Sequence, residues 1–271
     1  MSSLLVARKD FMDSVRSSIL TALLGVFILA LLVIALGYLI VVPRRSMASM
    51  LVYVTTLVKW LVPITALLAG YSAIVGERDG NTITFLLGLP ITRGDVLAGK
   101  VLGRSAAVLL PITVAFLGIA LITIVAYPTF LPLALLTLFG ASALLAVVFV
   151  SVSVAISALT DSPVRAASAT VAVFIACMFL WDLLPSAAYF LVNGTALGSQ
   201  DAPAWFWFLM RLNPLEAFLA LLASVMPTMA TRVPADGPIY LSVWATLGIF
   251  LAWISIPLGA GYLRFDTDDL T

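Results

Sequence analysis

The stretch ITRGDVLAGKVLG, residues 91–103, holds Gly94, Gly99 and Lys100 at the spacing of the phosphate-cradling pattern G-x-x-x-x-G-K-[ST]. In such a loop, backbone N–H groups and the lysine grip phosphate oxygens, and the final hydroxyl ligates magnesium. Val101 occupies that final position and carries no hydroxyl. The chemistry also requires a strand before the loop, a helix beginning near the lysine, and a parallel sheet to carry both. Ile83 to Leu89 could supply a strand, but Thr92 and Asp95 have the spacing of a capping box, which starts a helix at residue 92. That helix encloses Gly94, Gly99 and Lys100, consumes their N–H groups, and runs into the apolar residues that begin at Ser105. Nucleotide binding by this stretch is therefore rejected. The same region reads as a docking element, in which Glu77 to Asn81 closes one apolar run, Ile83, Phe85, Leu86 and Leu87 form a short helix, and Pro90 breaks it.

Other chemistry is scarce. The chain has no histidine, the commonest general base and metal ligand, and its one cysteine, Cys177, sits in an apolar run and can form no intrachain disulfide. No nucleophile–base pair or acidic metal cluster is legible, so the sequence offers no catalytic residue and argues against an enzyme. Met47-x-x-Met50 and Met226-x-x-Met229 place thioethers one helical turn apart, a spacing that suits Cu(I), although methionine more often fills gaps in a core. Lys59 and Asp182 are the ionisable residues drawn inside spans, each near an outer end where it can snorkel to the interface. With Arg211 they form a candidate outer gate, Asp182 pairing with Lys59 or Arg211. A proton-coupled carrier would lack its carboxylate and histidine relay.

The elements that must position these residues are membrane spans. Of 271 residues 63% are hydrophobic and only 10% charged, with a mean hydropathy of +1.18, whereas a soluble domain has about 25% charged residues. The reading is an all-α polytopic membrane protein of one domain, with spans at about 18–42, 54–76, 105–126, 131–159, 164–184 and 238–263. The first apolar run is too long for a signal-peptide core and stays as a span. Nine of the 14 Lys and Arg residues fall on one side, among them Arg8, Lys9, Lys100, Arg104 and Arg264, which predicts both termini inside. Residues 1–17 read as an amphipathic helix on the inner surface, its apolar face formed by Leu4, Leu5, Phe11, Met12 and Val15. Residues 77–104 form the inner segment. The outer segment, 185–237, holds the aromatic cluster Trp205 to Phe208 and a helix capped by Asn213 with Pro214 at its first position, too short to span. Gly99 and Gly103 form a G-x-x-x-G that would let helices approach closely. Net charge of +1 says almost nothing about partners, and no nucleic acid is expected among them.

The residues 67–103, LLAGYSAIVGERDGNTITFLLGLPITRGDVLAGKVLG, resemble the ABC-2 type permeases, and so do the stretches 7–17, 158–174, 179–184 and 209–218. More closely the chain is similar to members of that family that serve maturation of an extracytoplasmic copper enzyme. The resemblance implies a homodimer of six-span subunits in the plasma membrane above two cytosolic ABC ATPase subunits. ATP is then bound by the partner and this chain carries no cofactor. The resemblance makes Gly80 to Leu89 the coupling helix, with Glu77, Gly80, Thr82, Ile83, Phe85, Leu86, Leu87 and Pro90 as the residues that engage the ATPase. Residues 1–17 become the connecting helix and Lys100 a structural, lipid-facing or partner-facing residue. An outer gate near the short helices before the last span also follows. The function implied is substrate export or maturation of the copper enzyme, with lipid and an extracytoplasmic protein as further partners. The alternative is a non-transporting membrane scaffold for an extracytoplasmic maturation factor.

Overall fold

The computed structural model describes residues 2–42, 46–79, 92–194, 202–226 and 238–267. All regular structure among them is helical. A bilayer forces this outcome, because a lipid-facing backbone must satisfy its N–H and C=O groups within its own segment. The helices are α1 (Ser2–Arg16), α2 (Ser18–Val41), α3 (Met47–Gly70), α4 (Val75–Asp79), α5 (Arg93–Ala126), α6 (Pro132–Leu159), α7 (Pro163–Ile175), α8 (Leu183–Asn193), α9 (Ala204–Arg211), α10 (Pro214–Ala223) and α11 (Val243–Thr267). A π-turn, Ala176–Leu180, follows α7, and a 3-10 turn, Ile239–Leu241, precedes α11. Among the described residues six helical segments are long and apolar enough to cross a membrane, and the bent pair α9–α10 would make a seventh if counted as one span.

Helix α6 is the central member, packed on α3, α5, α10 and α11. Its small residues allow that crowding. Gly70 of α3 faces Ser153 so closely that a methyl group there would overlap the Ser153 hydroxyl. Gly261 of α11 similarly lies against the Ala155 backbone. Two serine hydroxyls of α6 are satisfied within the helix in this apolar setting: Ser142 donates to the Leu138 carbonyl at 2.6 Å and Ser153 to that of Val150 at 3.0 Å.

Three expectations about element boundaries change. Span two begins at Met47 rather than residue 54, because the link from α2 is short. Span three is the upper part of a longer helix that starts at Arg93. There the Thr92 hydroxyl accepts the Asp95 N–H at 3.1 Å and the Asp95 carboxylate accepts the Thr92 N–H at 3.3 Å, the reciprocal cap that the spacing predicts. Span five, expected as one helix over 164–184, is instead divided by the π-turn, and α8 continues as a helix to Asn193.

The surface helix α1 also differs from its simplest reading. Its side toward α5 is formed by Val6, Asp10 and Ser14, one turn apart and buried, while Leu4, Leu5, Met12 and Val15 remain exposed. A helix read as two-faced therefore has a third, buried face. Gly99 and Gly103 make it, because a Cβ at Gly99 would lie 2.6 Å from the Val6 Cβ and 2.8 Å from the Ser3 carbonyl. One at Gly103 would lie 2.7 Å from the Ala7 carbonyl.

Candidate coupling site

Where α1, the end of α3, α4 and the start of α5 meet, charged side chains are gathered inside the protein. Lys100 projects from α5 with its side chain only 2% exposed. Its Nζ lies 2.8 Å from Glu77 Oε1 of α4 and 3.2 Å from Asp10 Oδ1 of α1. One turn further along α5, Arg104 Nε stands 2.8 Å from Asp10 Oδ2, and its Nη1 donates to the Ala69 carbonyl at 3.0 Å. One buried and one part-buried cation thus face two carboxylates, and each charge touches an opposite one, which is the condition for keeping ions out of water. Lys9 closes the exposed edge, 3.5 Å from Glu77 and 3.6 Å from Asp13. Lys100 has the surroundings of a structural cation. Its ammonium is engaged by protein carboxylates.

The turn between α3 and α4 is fixed from the other side. Ser157 of α6 accepts the N–H groups of Ile74 and Val75 at 2.9 and 3.0 Å, so one hydroxyl caps the first turn of α4. Arg78, next to Glu77, reaches Asp161 in the α6–α7 turn at 3.5 Å, and Arg264 of α11 approaches the same carboxylate at 3.9 Å. The guanidinium groups of Arg78 and Arg93 lie 5.4 and 5.6 Å from the centre of the buried Phe265 ring, and Arg93 donates to the Phe265 carbonyl. The residues on either side of segment 80–91 are consequently tied to α1, α5, α6 and α11. Gly80, Thr82, Ile83, Phe85, Leu86, Leu87 and Pro90 themselves lie outside the described residues.

The sequence profile of ABC-2 family transporter proteins matches residues 4–270, nearly the whole chain. The chain belongs to the ABC-2 transporter family. Two relatives carry the name probable ABC transporter permease protein NosY. The one from Pseudomonas aeruginosa is 30% identical over 266 residues, covering 94% of this chain and 92% of the relative. The one from Stutzerimonas stutzeri is 29% identical over 277 residues, covering 96% of each. As an ABC-2 permease the protein is a multi-pass membrane subunit of a transporter, and permeases of this family work with an ABC ATPase. The charge cluster around Lys100 includes Glu77 of α4 and lies on the described residues that flank segment 80–91 in the chain.

The opposite end of the ABC-2 bundle corrects the pairing expected for the gate candidates. Lys59 pairs with Glu216 of α10 at 2.8 Å and does not reach Asp182. Arg211 is buried and donates to the Leu241 carbonyl, stapling α9 to the turn before α11. Asp182 sits between the π-turn and α8, its carbonyl accepting the Ser186 N–H. Sequence spacing singled out Lys59 but not its partner, because Glu216 looked like an ordinary first-turn acid of α10. Replacing Glu216 by Gln is expected to lower the stability of the α3–α10 contact by about 1–3 kcal/mol, since Lys59 then keeps its charge without a counter-ion. Glu216→Gln combined with Lys59→Gln should regain part of that loss in a thermal-shift assay.

Among the methionines, Met47, Met50 and Met226 are buried in the apolar core and Met229 lies outside the described residues. The Met47 sulfur accepts the Leu131 N–H at 3.1 Å, which joins the α2–α3 and α5–α6 connections at this end.

Several residues of the cluster escaped the sequence. Asp10, Arg104, Arg78, Asp161 and Phe265 carried only weak signals. The best was Lys100 and Arg104 one turn apart on one face of a helix that is otherwise apolar as it enters a span.

Proposed function

We propose that this permease converts ATP hydrolysis by a separate cytosolic ABC ATPase into movement of its membrane helices, with segment 80–91 received by the ATPase. The observation that carries this reading is the Lys100–Glu77–Asp10–Arg104 cluster. It joins α4, which precedes that segment in the chain, to α1, α3 and α5 by ions that cannot separate cheaply in a low-dielectric site. A push on α4 is then shared by α1 and α5 as one body and reaches the far end along α3 and α5. In this reading the α1 end is cytosolic, both termini lie inside, and two copies form the working dimer.

The likeness to permeases named NosY supports a role in maturation of an extracytoplasmic copper enzyme, by export of a substrate or by service to an extracytoplasmic partner. The chemistry of ATP stays in the other chain, and Lys100 does not contact it.

Co-expression with the candidate ATPase tests the proposal. The expected result is a stable complex whose hydrolysis responds to the permease. Phe85→Asp together with Leu86→Asp should weaken ATPase binding at least about tenfold, the effect of losing a central apolar anchor. A folded permease that retains no ATPase, or whose complex hydrolyses ATP identically with both substitutions, would be a scaffold instead.

A further inference from the structure

We propose that Asn213 is a latch that sets the position of the α9–α10 hairpin through the helical register of span five. The inference rests on the reading above, in which the end opposite the charge cluster moves during ATP hydrolysis. Helices α9 and α10 meet at 115°, with Leu212 and Asn213 at the apex. Three spans hold that apex by polar contacts. The Trp181 indole N–H donates to the Leu209 carbonyl at 3.0 Å, that of Trp253 in α11 to the Leu212 carbonyl at 2.7 Å, and Lys59 of α3 pairs with Glu216.

Asn213 uses both halves of its amide. Its Oδ1 accepts the Leu215 N–H at 2.9 Å and caps α10, while its Nδ2 donates to the Cys177 carbonyl at 2.6 Å. That carbonyl belongs to the π-turn Ala176–Leu180. The turn contains neither proline nor glycine, so its own sequence does not dictate the widening. A π-turn differs from α-helix by one residue of register and commonly marks a place where a helix changes shape. The Asn213 donor stabilises the widened form.

Withdrawal of the apex would leave a buried amide and a buried carbonyl unpaired in apolar surroundings, which discourages partial movement and favours two discrete positions. There is also space for a second position. An open groove of about 320 Å³ lies beside the latch, bounded by Trp181, Leu212, Ile249, Trp253 and the exposed Ile256, and its lining is nearly all carbon.

The chain supplies its own reporter, because Cys177 is its only cysteine and is buried. The experiment measures the rate at which N-ethylmaleimide labels Cys177 in the assembled permease–ATPase complex, first without nucleotide. Asn213→Asp and Asn213→Ser both keep a good helix cap and lose the amide donor. Each should accelerate labelling roughly 5- to 30-fold, as expected when an opening equilibrium loses one buried hydrogen bond. A cysteine placed by Ser151→Cys in the buried part of α6 should keep its own slow rate in the same variants. Wild-type labelling rates at Cys177 in both variants overturn the latch, and so does an equal acceleration at residue 151, which would signal general loosening. In the wild-type complex, ATP with magnesium should accelerate Cys177 labelling, and in the variants it should add little. If the variants respond as described and ATP leaves the wild-type rate unchanged, the latch stands and its link to hydrolysis falls with the reading above.

Discussion

Lys100→Met is expected to free α1 from the bundle and uncouple hydrolysis from the permease, while nucleotide binding by the complex stays unchanged. The side chain is enclosed, and its removal leaves Asp10 and Glu77 facing one another across the space it filled. Breaking a buried ion pair by deleting one partner costs about 3–5 kcal/mol. The lower end applies here, because Glu77 is partly exposed and retains Lys9, while Asp10 retains Arg104. Trypsin provides the readout: cleavage after the exposed Arg8 and Lys9 should accelerate as α1 detaches. Adding Glu77→Gln removes the stranded carboxylate and should restore about 0.5–3 kcal/mol of coupling, the range for directly interacting pairs. Loss of nucleotide binding in Lys100→Met would revive the phosphate-loop reading of residues 94–101.

Gly99→Leu and Gly103→Leu should reach the same state by another route. Even a methyl group at either position would meet α1 well inside van der Waals contact, and in both cases backbone carbonyl oxygens are among the atoms met. A side-chain rotation cannot relieve such a clash; the whole helix must move. Overpacking of this kind costs typically about 1–3 kcal/mol and more where backbone is struck. Leucine at these positions should displace α1 and draw Asp10 out of the cluster, lowering the melting temperature and exposing Arg8 and Lys9 to trypsin. Gly140→Leu on α6 is the control, because a Cβ there meets nothing within 4 Å. Equal effects at Gly99 and Gly140 would mean that glycine-to-leucine changes act through helix propensity alone.

The parts of this structure legible in the sequence are those that short-range physics decides. The spans follow from runs of apolar residues, the start of α5 from Thr92 and Asp95 three positions apart, and the start of α10 from Asn213 before Pro214. What stayed hidden depends on residues far apart in the chain. Asp10 and Lys100 are separated by 90 positions, and nothing around Asp10 distinguishes it from the solvated charges beside it. The G-x-x-x-G at Gly99 announced a close helix approach but not that α1, a surface helix, would fill it. The π-turn was equally silent, because its residues suit an α-helix and the contact that accompanies it comes from Asn213, 36 positions later. Lys59 was visible as a charge in a span, yet its partner had to be found by folding.

The charge cluster has a bearing on how the protein is made. Ribosomes deliver Asp10 long before Lys100 and Arg104, so the first helix leaves the exit tunnel with an acid whose counter-ions do not yet exist. It cannot settle into its groove until the third span has begun to insert. A chain that ends before residue 104 therefore leaves α1 without the lysine and arginine that hold Asp10 in place.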